Sequence, residues 1–185
     1  MATEKPTYRI LKKEGKYELR AYDPYISAQV QINARDHNQA AYRGFSPLAN
    51  YIFGSNTSRE KISMTSPVSA KAVSEKIAMT SPVTVSGSEN YVVSFVMPKQ
   101  FTLETLPIPD DERISFVQNP ARVIASVHFR GAFRQANFDK HTLFLRKWIE
   151  EKGWRELSEP IIAGYDPPFV PAFLKHNEIL IEIEE

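Results

Sequence analysis

Four histidines, at positions 37, 128, 141 and 176, are the obvious metal-ligating side chains of this 185-residue chain. No two stand at His-x-x-x-His spacing and no Glu-x-x-His occurs, so a multi-histidine centre is not expected. His37 stands at a helix start, and His128 lies on a strand, opposite in face to Val123, Ala125, Val127 and Phe129. His141 sits on a helix beside Phe138 and Leu145. His176 follows an apolar loop and is the best placed of the four to act as a ligand. Met64 and Met79 could serve as soft ligands, but methionine at such positions more often fills gaps in a core.

Glu178 is a second chemical candidate. It precedes an Ile-Leu-Ile run and shares a strand face with Leu180, which points it inward. An interior carboxylate can anchor a cation or act as a general acid. With a phenol such as Tyr165 within reach it could serve a hydrolase or isomerase; on the rim it would merely cap Lys175 or Tyr165. Phe169 and Phe173 flank Pro171 in a loop too apolar for idle surface. They either plug a core from outside or line a groove, and flat ring ligands favour such walls. Other catalytic signatures are absent. The chain has no cysteine, which removes disulfides, thiolate metal sites and a thiol nucleophile. It has no Gly-x-Ser-x-Gly elbow and no phosphate-binding or dinucleotide-binding glycine loop, and its seven glycines are not clustered.

The elements that must position these residues are legible from periodicity. Tyr8 to Tyr22 reads as a hairpin turning at Lys13-Glu14-Gly15-Lys16, with Gly15 supplying the positive φ. Tyr25 to Ile32 alternates strictly, with Ile26, Ala28, Val30 and Ile32 on one face. Asn33 or Asp36 then caps a helix carrying Ala41, Phe45, Leu48 and Ile52, with a kink or fresh start at Pro47 and a stop at Gly54. Met-Thr-Ser-Pro-Val occurs at 64–68 and again at 79–83, which suggests a paired hairpin interrupted at its prolines. Tyr91 to Met97 is a further strand, and Phe101 to Asp111 is a proline-rich link, the one plausible internal boundary. Beyond it come strands at Arg113–Val117 and Val123–Phe129 around an Asn119-Pro120 turn, and a helix from about Gln135 to Lys152. A short extended run at 160–165 and an alternating strand at 177–183 close the chain.

Each part is therefore strand–strand–helix–strand–strand. We expect one α+β domain over 1–185: an antiparallel sheet with two helices packed on it, and an internal pseudo-two-fold repeat of halves 8–98 and 112–184. A ligand groove between the halves follows from that arrangement. The formal net charge is +1 and the 23 basic residues are scattered, so neither nucleic acid nor an acidic membrane surface is an expected partner. No apolar run approaches the roughly 18 residues of a membrane span, and Met1 to Pro6 has no signal-like core, so a cytoplasmic location is expected.

Several motifs, in order, resemble the SOUL/haem-binding-protein family. They are the two Met-Thr-Ser-Pro-Val copies, Tyr51-Ile52-Phe53-Gly54-Ser55-Asn56, Phe95-Val96-Met97-Pro98, Phe129-Arg130-Gly131, and Gly164-Tyr165-Asp166-Pro167-Pro168 followed by Asn177-Glu178. The resemblance spans residues 8–184 and extends to the fold of gyrase-inhibitor-like drug-binding regulators. It implies a distorted, barrel-like antiparallel β-sheet with two helices, and a shallow apolar pocket for haem or another porphyrin, formed by the first helix and the loop before the last strand. Carried over, the pocket takes Tyr42, Phe45, Ala49 and Asn50 from the helix and residues 169–175 from the loop. The mammalian haem-binding member is basic at the positions of Tyr42, Asn50 and Val170; here Arg43, Lys175 and His176 are the nearest substitutes. The leading expectation is haem or tetrapyrrole binding for storage, transport or buffering, the ring lying on Phe45, Leu48, Ala49 and Ile52 under Phe169 and Phe173. The alternatives are a binder of lipophilic cations or other aromatics that depends on Glu178, as in related drug-binding folds, and the Glu-dependent enzyme.

Overall fold

The computed structural model describes residues 4–59, 74–88, 90–166 and 170–185. Its strands are β1 (Tyr8–Glu14), β2 (Tyr17–Tyr22), β3 (Tyr25–Asn33), β4 (Asn56–Thr57), β5 (Val83–Ser86), β6 (Asn90–Val96), β7 (Ile108–Pro109), β8 (Ser115–Asn119), β9 (Arg122–Arg130), β10 (Arg155–Glu156), β11 (Ile161–Gly164) and β12 (His176–Glu184). Helix α1 (His37–Ile52) follows β3, and α2 (Gln135–Glu151) follows β9. The main sheet is a curled half-barrel in the order β1-β2-β9-β12-β11-β5-β6-β3-β8, and every pair in it is antiparallel.

Apart from β1, which has no counterpart, that order is matched strand for strand about the β11–β5 junction. On one side β11, β12, β9 and β2 follow; on the other β5, β6, β3 and β8. A helix follows the third strand on each side. The α+β class, the curled antiparallel sheet, the two helices and the internal repeat all match the expectations from periodicity and resemblance. The outer strands do not. β8 and β9 sit either side of the Asn119-Pro120 turn, yet β8 pairs with β3 and β9 with β2. β2 and β3 part in the same way at Asp23-Pro24. Each proline removes a backbone donor where a hairpin would close, and the chain crosses to the other half.

Alternation decides which face each residue takes. Ala28, Val30, Ile32, Val85, Val93 and Phe95 pack under Leu48, Tyr51 and Ile52 of α1. Leu19, Ala125, Val127, Phe129, Ile179, Ile181 and Ile183 pack under Phe138, Leu145, Trp148 and Ile149 of α2. Both helices thus lie on one face of the sheet, and their starts touch where His37 Nδ1 meets Gln135 Oε1 at 2.8 Å.

Asp36 caps α1 by accepting a hydrogen bond from the Gln39 N–H at 2.8 Å. The helix then runs continuously through Pro47, so the alternative of a fresh start there does not occur. Residues on both sides of Pro47 are buried on the same sheet, which holds the axis together across the missing N–H. Gly44 is a close-approach residue rather than a breaker: a Cβ there would lie 2.6 Å from Val93 Cβ. The first repeat copy, including Met64, lies outside the described residues. The second copy is irregular up to Val83, where β5 begins, so it is not the expected strand, and Met79 is exposed rather than a core filler. The proline-rich link packs down: Leu106 is fully buried and joins the α1 core.

Candidate functional site

The sheet face turned away from the helices is concave, and β12 shows why chemistry collects there. Its odd positions, Ile179, Ile181 and Ile183, face α2, so Glu178 and Leu180 must face the hollow. On β9, Ile124, Ser126 and His128 do the same; on β2, Glu18, Arg20 and Tyr22. A cavity of about 520 Å³ opens on this face. Its walls include Tyr8, Tyr22, Tyr25, Pro82, His128, Tyr165, His176, Glu178 and Leu180.

Glu178 is buried in the floor, as its strand parity required, and it is not alone. Arg20 grips it with two parallel hydrogen bonds, Nη1 to Oε2 at 2.8 Å and Nη2 to Oε1 at 2.6 Å. The Tyr165 hydroxyl donates to Glu178 Oε2 at 2.5 Å. Arg20 also donates from Nε to Glu18 at 2.8 Å, and its guanidinium lies 4.5 Å from the Tyr8 ring centre. Lys13 closes the cluster by donating to Glu18 at 2.8 Å. Two cations and two anions therefore balance.

Burial opposes the charged form of Arg20, but the bonds and charge of Glu178 outweigh it and raise its pKa above the ordinary value. Burial pushes the Tyr22 phenol up to about 12, and burial with the Glu178 charge raises that of Tyr165. Both phenols stay protonated at neutral pH, so Tyr165 remains a donor.

At one end of the hollow the rings of His128 and His176 face each other with centroids 5.8 Å apart. His176 Nδ1 lies 3.0 Å from Asp166 Oδ2, and the His176 backbone N–H donates to the same oxygen. Burial acts to raise the Asp166 carboxyl, but these two bonds outweigh it and hold the group below the usual carboxylate range. An ionised carboxylate only accepts, so the His176 ring donates from Nδ1 to Asp166. Burial lowers the pKa of His128 below the ordinary value, outweighing the opposing charge of Glu178. Its ring is therefore neutral at pH 7. The other two histidines serve packing: His141 stacks on Phe129 at 4.1 Å, and His37 meets the Tyr91 ring edge-on at 4.8 Å. Among the described residues no three His, Asp or Glu side chains stand close enough to hold a metal ion.

Of the ten residues expected to bind ligand, this hollow contains His176 and Glu178. Leu48, Ala49 and Ile52 are buried, and Leu48 and Ile52 lie between α1 and the sheet, where a ring resting on them would have to displace the core. Phe45 is half-buried against the same core, its ring 5.4 Å from that of Phe95. Tyr42 and Phe173 are open to solvent, at 83% and 73% exposure. Lys175 is half-buried beside the hollow's end, and its carbonyl accepts from the Gly131 N–H at 3.1 Å. Phe169 lies outside the described residues. Sequence reasoning missed Arg20, Tyr8, Tyr22 and Tyr25. The alternation of Tyr17 to Tyr22 puts Glu18, Arg20 and Tyr22 on one face, but only the strand exchange brings that face to Glu178.

Comparison with known proteins agrees with this architecture. A family model described as SOUL heme-binding protein matches residues 3–182. Heme-binding protein 1 of Xenopus laevis is 24% identical over 169 residues, covering 91% of this chain and 84% of the relative. Heme-binding protein 2 of Homo sapiens is 26% identical over 167 residues, covering 89% and 77%. Among solved structures, the C-terminal domain of EcmrR superposes with a TM-score of 0.63 at 14% identity, covering 96% of this chain and 98% of that one.

Proposed function

We propose that this chain, which belongs to the SOUL haem-binding protein family, binds haem or a related tetrapyrrole in the concave hollow, with His176 as its axial ligand, and serves to carry or buffer the ring. The observation that carries the reading is His176 itself. Its Nδ1 is held by Asp166 and its ring lines the hollow, the arrangement that orients a histidine for a metal. The donor set fits haem iron, for which a neutral imidazole is the common axial ligand. Bound haem would supply a redox-active iron; Tyr8, Tyr22, Tyr25, Pro82 and Leu180 would hold its apolar ring. Affinity would come mostly from apolar burial, at about 25 cal/mol per Å² before the costs of association. The names of the relatives, Heme-binding protein 1 and 2, support the same ligand class.

Haemin titration tests this. Wild-type protein should give a saturable Soret shift at micromolar haemin. His176→Ala should lose the coordination-dependent part of that shift yet still bind iron-free protoporphyrin, read by quenching of Trp and Tyr fluorescence. No saturable shift in the wild type would end the reading.

A second location is favoured by the exposure of Tyr42 and Phe173, large aromatic surfaces at the helix and loop the family uses. There the ring would rest on Tyr42 and Phe45 against Phe173 and Lys175. A shift abolished by Tyr42→Ala with Phe173→Ala, and untouched by Tyr22→Ala, would select that face. The hollow is less suited to a lipophilic cation, because Arg20 already neutralises Glu178. The same ion pair makes Glu178 a poor proton carrier for an enzyme.

A further inference from the structure

A second cavity of about 450 Å³ adjoins the first. The two share four wall residues: Lys5, Pro6, Tyr25 and Val96. Ile26, Met97, Phe101 and Leu103 give the second an apolar lining beyond the shared Val96, alongside the charged Glu4, Asp23, Lys99 and Glu104. Residues 4–7 thus form part of the wall between two adjoining hollows.

The way this segment is held differs from the way the sheet is held. Glu4 makes an isolated bridge to Thr80, its carbonyl accepting from the Ser81 N–H at 2.9 Å. Its side chain accepts from the Lys99 N–H at 3.0 Å, and Lys99 Nζ donates to the Thr7 hydroxyl. Pro6 has no N–H and cannot extend the bridge into a ladder. The Lys5 ammonium lies 4.9 Å from the centre of the Tyr165 ring, beside the Glu178 floor. Lys5 and Thr7 are exposed. Segments with few buried apolar contacts and isolated backbone bonds open at far lower cost than a core strand.

We propose that residues 4–7 are a displaceable strap, and that the cavity beyond it is a second, apolar subsite of the same ligand site. With the strap lifted the hollows join into one groove, which takes a ligand larger than either holds alone: a tetrapyrrole in the first, with its apolar substituents in the second. This rests on the reading of the hollow as the ring's site, but the strap can be tested without ligand.

Native-state amide exchange followed by NMR compares the Ser81 N–H, which the strap covers, with those of Val85 and Val93 in β5 and β6. The Ser81 amide should exchange at least about a hundredfold faster than both. Glu4→Ala, which removes the Lys99 anchor, should speed it further, leaving Val85 and Val93 unchanged. Equal protection at Ser81 and Val85 would overturn the strap, whatever haemin does. The subsite is tested by Leu103→Asp, a change at an exposed position that lines only the second cavity. Haemin affinity should fall about tenfold or more with unchanged thermal stability, and Glu4→Ala should raise the association rate. Unchanged affinity in Leu103→Asp, with wild-type binding intact, would overturn the subsite. Absence of wild-type haemin binding would remove the ring reading and the subsite together, while the exchange data would still decide the strap.

Discussion

Replacing Arg20 by Met should be the most destabilising polar-to-apolar change in this hollow. Arg20 and Glu178 are 3% and 6% exposed, so neither can turn to water when its partner is removed. Breaking a buried pair from one side costs about 3–5 kcal/mol, because the remaining charge is left uncompensated. Here the lower half of that range applies. Tyr165 still donates to Glu178 Oε2, and a hydrogen bond to a charged group retains roughly 1.5–3 kcal/mol. The net expectation is a loss of about 3–4 kcal/mol. Urea unfolding followed by Trp148 and Trp154 fluorescence would register it. With a slope of roughly 2–3 kcal/mol per molar for a chain of this size, the midpoint should fall by about 1–2 M with the slope unchanged. The control is Arg20→Met combined with Glu178→Gln. Removing the second charge relieves the uncompensated anion, so the double variant should be more stable than Arg20→Met by about 2 kcal/mol. A loss under about 1 kcal/mol in the single variant would refute this reasoning. So would a double variant whose loss is the sum of its parts, since contacting partners must couple.

Two further tests concern the frame around the hollow. Gly44→Ala would press a methyl to 2.6 Å from Val93. Overpacking at about 1–3 kcal/mol, offset by roughly 1 kcal/mol of helix propensity, leaves a net loss of up to about 2 kcal/mol, or up to roughly 4–8 °C in Tm, which Val93→Ala on the same background should partly restore. Glu14 accepts from Lys152 Nζ at 2.7 Å and from the Trp148 indole at 2.8 Å, and these bonds hold its pKa at about 2 against an ordinary 4.5. Unfolded chain then binds more protons than folded chain between those values, so this contribution is complete above pH 4.5 and vanishes as pH falls towards 2. Glu14→Gln should flatten the rise of urea midpoint with pH across that window; an unchanged slope would show the pair to be idle.

Much of the frame was legible because parity and helical spacing are local. The faces of β3, β9 and β12 follow from alternate residues alone, and the inward turn of Glu178 follows from Leu180 two positions on. The α1 stripe of Ala41, Phe45, Leu48 and Ile52 was legible for the same reason, but a stripe says only that something covers it. The sheet covers it, which is why Leu48 and Ile52 serve the core rather than an open groove. What sequence could not show was pairing at a distance. Arg20 and Glu178 are 158 residues apart, and their contact depends on β2 bypassing its sequence neighbour β3. Nor could spacing rank the histidines. His128 and His176 meet because β9 and β12 pair in register, His176 opposite Arg130 and Glu178 opposite His128.

The same exchange of outer strands explains how a symmetric frame comes to carry one-sided chemistry. Position for position, β6 answers to β12 and β3 to β9. On the first half the concave residues are neutral: Ser27, Gln29, Thr84 and Ser94, with Thr84 and Ser94 joined hydroxyl to hydroxyl at 2.6 Å. On the second half they are Ser126, His128, Glu178 and, from β2, Arg20. The first half needs no counter-charge, so its outer strand β8 can offer Asn119 to the Ser27 hydroxyl at 2.9 Å and nothing ionic. The second half holds a buried carboxylate, which folding tolerates only with a partner. That partner cannot come from β8, which lies at the far end of the sheet. It comes from β2, and the N-terminal segment that leads into β1 and β2 brings Lys5 and Pro6 across the mouth of the hollow. The ion pair that stabilises the floor and the strap that would gate the opening are therefore consequences of one topological choice. Loosening the N-terminal hairpin should disturb both together, while equivalent changes at β8 should disturb neither.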